Sequence, residues 1–250
     1  MKNIKIVIEY DGTAYCGWQR QNNALAVQQV IEDTIFEVLG QRVVVNGSGR
    51  TDAGVHAFGQ VATFMIESTV PGEKFAHALN KYLPSDITIV KSEEVAADFH
   101  ARFSAKKKTY RYLIFNRYHR PAIYANYSEH VRGELDLEVM QKALNMLVGE
   151  HDFKAFMSSD SQMDSTVRTI YSATVEKVND ELLAVEVCGN GFLYNMVRII
   201  VGTIIEIGIG RRNVDCIGQA IERLDRELLG YTAGPSGLYL KSVEYADEKK

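Results

Sequence analysis

The order in which apolar runs of two different periods follow one another constrains the fold of this chain most. Residues 4–10 (IKIVIEY) are rich in β-branched side chains and stop at Asp11-Gly12, which reads as a strand and a turn. After Ala26 the apolar positions Val27, Val30, Ile31, Ile35 and Val38 fall on one helical face, and Gly40 is placed to cap it. Residues 43–45 and 60–66 resume strand character, a helix is expected over 73–82 before Leu83-Pro84, and 87–90 offer a further strand. The first hundred residues thus read strand, helix, strand, strand, helix, strand. That order suggests a ferredoxin-like sheet with helices on one face, and order alone leaves the strand pairing open.

The second half contains the same ingredients. Residues 109–115 are strongly strand-like, and a helix near 136–148 carries Met140, Ala143, Leu144 and Leu147 on one face. Strands at 169–177 and 182–188 precede an apolar helix from Phe192, a further helix around 214–224 and a last strand over 238–244. With no repeat and no low-complexity linker between the halves, the boundary is placed near Ala105. This gives an N-terminal α/β domain over 1–105 and a C-terminal one over 106–250. The polar stretch 157–166, which includes Ser158, Ser159 and Ser161, reads as an exposed loop, and 247–250 as a solvated tail.

At 250 residues and 46% hydrophobic content the chain can bury one large core or two small ones. Cys16, Cys188 and Cys216 are far apart and form no CxxC pair, so neither a disulfide framework nor a thiolate zinc site is indicated, and a reducing, cytoplasmic setting fits. The N-terminal apolar run is too short and too interrupted for a signal peptide. Residues 192–209 are broken by Asn195, Arg198 and Glu206, so they read as a buried helix and not a membrane span. A net charge of −4 argues against a uniformly basic nucleic-acid binder and leaves local patches open.

Chemistry concentrates in residues 47–57, GSGRTDAGVHA, where Arg50, Thr51 and Asp52 are packed between glycines after an apolar run. Glycine admits close backbone approach, so Arg50 and Asp52 can be presented to a substrate. A Walker A loop read from Gly49 needs Lys and Ser or Thr where the chain has Val55 and His56. A dinucleotide fingerprint read from Gly47 puts Asp52 where the third glycine belongs, and a carboxylate there would repel a pyrophosphate. A phosphate cradle is thereby disfavoured. Taken alone, the loop is equally consistent with an ordinary Asp-Gly turn and with an active site.

Residues 106–120, KKKTYRYLIFNRYHR, hold Lys106, Lys107, Lys108, Arg111, Arg117 and Arg120 with no acidic residue and with Tyr110, Tyr112, Phe115 and Tyr118 interleaved. Cations neutralise phosphates and aromatic faces stack on exposed bases, so the combination suits RNA. For Lys106, Lys107 and Lys108 alone, a solvated edge strand guarded by lysines is an equal reading. Strand alternation places Tyr110 and Tyr112 on one face and Arg111 on the other.

Arg198 lies within the apolar helix, where a buried guanidinium calls for a carboxylate. Glu206 is two turns away, roughly 12 Å along the axis, too far to pair. Asp52 is the preferred long-range partner, against the alternative that Arg198 snorkels to solvent at the helix edge. The six histidines show no HExxH or similar ligand spacing, so no metal site is indicated, and no GxSxG elbow is present. Asp52 is left as the reactive group with a suggestive setting.

These residues resemble the TruA-type tRNA pseudouridine synthases. The likeness begins with GRTDAGVHA and continues through EYDGTAYCGWQRQ (9–21), FHARFSA (99–105), TYRYLIFN (109–116), GFLYNMVRIIVG (191–202) and GLYLKSVEY (237–245), in order over nearly the whole chain. The resemblance implies an α+β fold of two ferredoxin-like, RRM-like halves whose mainly antiparallel sheets join across a central RNA-binding cleft. It implies a homodimer that grips the tRNA anticodon stem-loop and converts uridine to pseudouridine without cofactor or metal. By resemblance, Asp52 is the essential aspartate, acting as nucleophile or as base. Arg50 positions the extruded nucleotide and Tyr110 stacks on the target base. Arg198 pairs with the aspartate, and Leu240 lines the pocket. Lys106, Lys107, Lys108 and Arg111 are expected RNA contacts. The competing reading is a catalytically silent RNA-binding module using the same basic surface, and a nucleotide-hydrolysing enzyme is disfavoured by the failed phosphate motifs.

Overall fold

The computed structural model describes residues 1–158 and 165–246. The expectations for Ser159, Ser161 and the rest of 159–164, and for the tail at 247–250, lie outside the described residues. The chain divides into two compact units, one formed by 1–106 and the strand that begins at Tyr239, the other by Lys107–Leu238.

The first unit opens with β1 (Lys2–Tyr10), whose Ile4, Ile6 and Ile8 are fully buried on alternate positions, as a strand with one core face requires. Helix α1 (Val27–Leu39) buries Val27, Ile31 and Ile35, and ends at Gly40, whose left-handed φ of 69° lets its amide reach the Phe36 carbonyl. The strand expected at 43–45 does not form. The Val45 amide donates to Glu32 Oε1 (3.0 Å) and its carbonyl accepts from Gln28 Nε2 (3.1 Å), so α1 satisfies the groups a ladder would use. Pairing resumes only at β2 (Asn46–Gly47), beside β3 (His56–Ile66). The helix expected over 73–82 contracts to α2 (Phe75–Leu79) behind one 3₁₀ turn, and β4 (Ile87–Val95) is longer than expected. Strand β1 pairs antiparallel with both β4 and β3, giving the order β4-β1-β3 with β2 on the far side of β3.

The second unit is built on β5 (Ala105–Asn116), which pairs in parallel with the short β6 (Glu129–Val131). Helix α3 (Leu137–Asn145) is capped by Asp136, which accepts from the amides of Glu138 (3.0 Å) and Val139 (3.1 Å). Strands β7 (Gly149–Asp152), β8 (Val167–Lys177) and β9 (Leu182–Gly189) complete an antiparallel run β5-β9-β8-β7. The apolar helix α4 (Met196–Gly208) starts four residues later than Phe192, and α5 (Cys216–Arg223) follows. Helix α3 packs on β8 and on α4. Among the described residues, no helix is long and apolar enough to cross a membrane.

The last strand, β10 (Leu238–Tyr245), departs from the expected 106–250 domain, since from Tyr239 it belongs to the first unit. Side chains far apart in sequence hold it there. The Tyr245 hydroxyl donates to the Ala101 carbonyl (2.8 Å), its ring lies 4.9 Å from that of Phe99, and the Lys5 ammonium sits 5.1 Å from it. A burial pattern within 238–245 cannot reveal which core it fills.

Candidate active site

Backbone hydrogen bonds and a few side-chain ones hold the loop bearing Asp52. At its entrance, the Ser48 amide donates to the Val61 carbonyl (2.7 Å), Ser48 Oγ donates to Gln60 Oε1 (2.7 Å), and Gln60 Nε2 donates to the Gly49 carbonyl (3.0 Å). At its centre, the Thr51 carbonyl accepts from the Trp18 amide (3.0 Å), and the Gly54 amide donates to the Tyr15 carbonyl (3.2 Å). The Val55 amide closes a turn onto the Asp52 carbonyl (3.1 Å), with Gly54 at φ 76°. The Asp-Gly turn expected from the sequence therefore forms, with Asp52 at its start.

Close packing against the 9–21 segment explains the glycines of that stretch. A Cβ on Gly12 would lie 2.0 Å from the Val55 carbonyl oxygen, and one on Gly17, itself at φ 87°, would lie 2.4 Å from that of Thr51. Only glycine permits both the approach and the left-handed backbone. Beneath the loop, the fully buried Tyr10 hydroxyl lies 2.7 Å from Thr51 Oγ1. Burial pushes the Tyr10 phenol up to about 12, against the opposing hydrogen bonds from Thr51 and Gln60. Thr51 is buried, Asp52 is half-buried and Arg50 is exposed.

Leu240 belongs to the same unit. It pairs with Ala57 and Tyr239 pairs with His56, in parallel register, where β10 meets the start of β3 just after the loop, and Leu240 is fully buried. His56, one of the histidines without ligand spacing, is 1% exposed. Its Nδ1 accepts from the Gly12 amide (3.0 Å), and its ring stacks on Tyr239 at 4.8 Å, which stacks in turn on Phe58 at 4.7 Å. His56 thus clamps the 9–21 segment and β10 to the residue that follows the loop.

The other site residues lie in the second unit. Tyr110 is buried on β5 opposite Val187 and meets the Phe192 ring edge-on at 5.0 Å. Arg111 points to the opposite face, as alternation requires, where its Nε lies 2.9 Å from Glu186 Oε1 and its Nη2 donates to Glu176 Oε1 (3.3 Å). Its charge is already matched by two carboxylates, a cross-strand arrangement that residues 106–120 alone cannot show. Lys106 and Lys107 are exposed and Lys108 is half-buried. The Lys107 ammonium sits 5.2 Å from the centre of the Tyr171 ring.

Arg198 is half-buried in the first turn of α4. Its Nε donates to the Ala233 carbonyl (2.7 Å) and its Nη1 to Asn195 Oδ1 (2.8 Å). Glu206 pairs instead with Arg212 (2.8 Å), in keeping with its axial distance from Arg198. Two glycines bring residues 230–233 onto this helix: a Cβ on Gly202 would lie 1.9 Å from the Tyr231 carbonyl oxygen, and one on Gly230 2.8 Å from Thr203 Cα. Nearby, the Tyr112 hydroxyl, with one proton to give, lies 2.8 Å from the Gly234 carbonyl oxygen and 3.2 Å from Glu129 Oε2. Burial, with Glu129 next, drives the Tyr112 phenol well above its ordinary range. Tyr112 and Glu129 carry no sequence signal of this role, because their partners are 122 and 105 residues away.

The family model for tRNA pseudouridine synthase matches residues 6–104 and 143–246, spanning both units. The chain belongs to this family. The tRNA pseudouridine synthase A of Ruminiclostridium cellulolyticum is 52% identical over 245 residues, covering 98% of this chain and 100% of that protein. Proteins of the same name from Acetivibrio thermocellus and Clostridium botulinum (strain Eklund 17B / Type B) are 50% and 49% identical over the same length.

Proposed function

We propose that this protein converts uridine to pseudouridine in the anticodon stem-loop of tRNA with Asp52 as its reactive carboxylate. The isomerase activity on tRNA follows from family membership over almost the full chain. The observation that carries the assignment of Asp52 is the way its loop is held, anchored by backbone hydrogen bonds to residues 15, 18 and 61, with Asp52 itself half-buried.

The reaction breaks the bond between ribose C1′ and uracil N1, turns the base and joins C1′ to C5; C5 loses a proton and N1 gains one. Electrons balance without an oxidant or reductant. A carboxylate in a fixed place serves either by attacking C1′ or by removing a ribose proton. The base must leave its stack first, and the exposed Arg50 suits the vacated space while Tyr110 offers a ring for the uracil. Arg198 is the basic group this reading assigns to the reaction. Leu240 contributes an apolar wall, and Lys106, Lys107 and Lys108 contribute phosphate contacts. The order β4-β1-β3 flanked by β2 supports reading the first unit as a ferredoxin-like half, and β8-β9-β5 supports the same for the second. This reading takes the active form as a cytoplasmic homodimer, which sedimentation equilibrium would test.

The decisive experiment uses unmodified tRNA carrying tritium at uridine C5, whose release to water reports the new bond. Asp52→Asn is expected to release none while binding tRNA within about threefold of the parent. Release at the parent rate would remove Asp52 from the chemistry.

A further inference from the structure

Asn195 stands immediately before α4 with a left-handed backbone, φ 63° and ψ 3°. Asparagine tolerates this region better than most residues, yet it remains uncommon outside glycine. An asparagine at this position ordinarily accepts an amide of the first helical turn. Here its side chain makes no capping bond. Instead, Oδ1 accepts from Arg198 Nη1 (2.8 Å) and Nδ2 donates to Ser158 Oγ (2.8 Å). The helix forgoes a cap, and the backbone holds an unfavourable conformation, while the side chain is directed to an arginine one turn on.

The effect on that arginine is geometric. Arg198 Nε is held by the Ala233 carbonyl (2.7 Å), and the Ala233 amide donates back to the Arg198 carbonyl (3.0 Å). A guanidinium is planar, so a second bond through Nη1 fixes its plane as well as its position. Ala233 is fully buried, which makes one end of the bracket rigid. Asn195 is the other end, and its bond to Nη1 constrains the tilt.

We propose that Asn195 is a positioning residue for Arg198, kept in the left-handed conformation because only that backbone aims Oδ1 at the guanidinium. The proposal rests on the reading that Arg198 serves the reaction, and the test separates the two. Asn195→Gly keeps the left-handed backbone at no steric cost and deletes both side-chain bonds. Asn195→Asp keeps the acceptor for Arg198 and loses the donor to Ser158. Ser158→Ala removes the Ser158 bond alone.

With tritiated tRNA, Asn195→Gly is expected to lower kcat about 30-fold, the scale of a misplaced positioning group, with tRNA affinity within about threefold and melting temperature unchanged or raised. Asn195→Asp is expected to recover kcat to within about threefold of the parent, and Ser158→Ala to keep it. In an Arg198→Met background, Asn195→Gly is expected to lower kcat no further. Parent-like kcat in Asn195→Gly overturns the proposal, as does a loss that Asn195→Asp fails to rescue while still folded. A loss reproduced by Ser158→Ala assigns the role to the Ser158 tether and overturns it too. Should Arg198→Met retain parent activity, the role given to Arg198 fails; a kcat loss in Asn195→Gly would then show Asn195 acting independently of Arg198, and the absence of a loss would show it idle.

Discussion

The two charged groups assigned to the chemistry are held in opposite ways. The Asp52 loop is fixed by main-chain hydrogen bonds to neighbouring segments and by glycines that let those segments touch, with side chains contributing at Ser48, Gln60, Tyr10 and His56. Arg198 sits on a regular helix, and its own guanidinium is bracketed between an asparagine side chain and a carbonyl. A loop has no intrinsic geometry, so the neighbouring chain must supply it. A helix supplies the backbone free of charge to the site, and only the long side chain then needs orienting. The first arrangement is broken by adding an atom, the second by removing one.

Adding a methyl at Gly17 should therefore have the largest effect. Its Cβ would stand 2.4 Å from the Thr51 carbonyl oxygen on a backbone at φ 87°. Gly17→Ala is expected to lose roughly 3 kcal/mol of stability, read by urea denaturation, together with nearly all tritium release. A folded, active Gly17→Ala would mean that the loop yields, and the contrast between the two regions would collapse.

Arg198→Met sharpens the contrast from the other side. It keeps the helix and much of the volume, so stability should fall by about 1 kcal/mol while kcat falls about 100-fold and tRNA affinity changes less than threefold. Equal losses in kcat and affinity would identify Arg198 as a phosphate contact.

Tyr10→Phe removes one buried hydroxyl under the loop and strands Thr51 Oγ1, for an expected loss of about 1–2 kcal/mol at neutral pH. It also has a pH signature. The Tyr10 phenol is raised from 10.0 to about 12 in the folded state, so the stability it contributes is complete below pH 10 and is lost as pH rises toward 12. Over that window Tyr10→Phe should unfold with about one proton less dependence on pH, and an unchanged alkaline slope would place the titration elsewhere.

The smallest effect is expected outside both arrangements. Lys107→Ala should weaken tRNA binding modestly and reduce the slope of log affinity against log salt by about 0.9, the share of one phosphate contact. An unaltered slope would leave Lys107 as a cation over Tyr171 and nothing more.

What was legible in the sequence divides along the same physical line. Local signals were read correctly where neighbours in sequence are also partners in space. Examples are the β-branched run of β1 and the Gly40 cap of α1. The reading failed where a distant group intervened. Residues 43–45 look like a strand, but Glu32 and Gln28 take the Val45 backbone. The segment over 238–245 does read as a strand, yet its unit is decided by Tyr245, Phe99, Ala101 and Lys5.

The site shows the same division. The GRTDAG loop and the arginine inside an apolar helix are visible in the sequence because each breaks a local rule: charge among glycines, charge among isoleucines. The clamp at His56, the acceptors at Asn195 and Ala233, and the carboxylates facing Arg111 break no local rule and stay hidden. The sequence by itself determined most of the long strands and helices and the family, because periodicity and motif are properties of neighbouring residues; it missed the short β6 and β7. Tertiary structure alone decided which backbone holds the Asp52 loop, which unit receives β10 and how the Arg198 guanidinium is oriented, because hydrogen bonds and close approaches depend on distance in space and not along the chain.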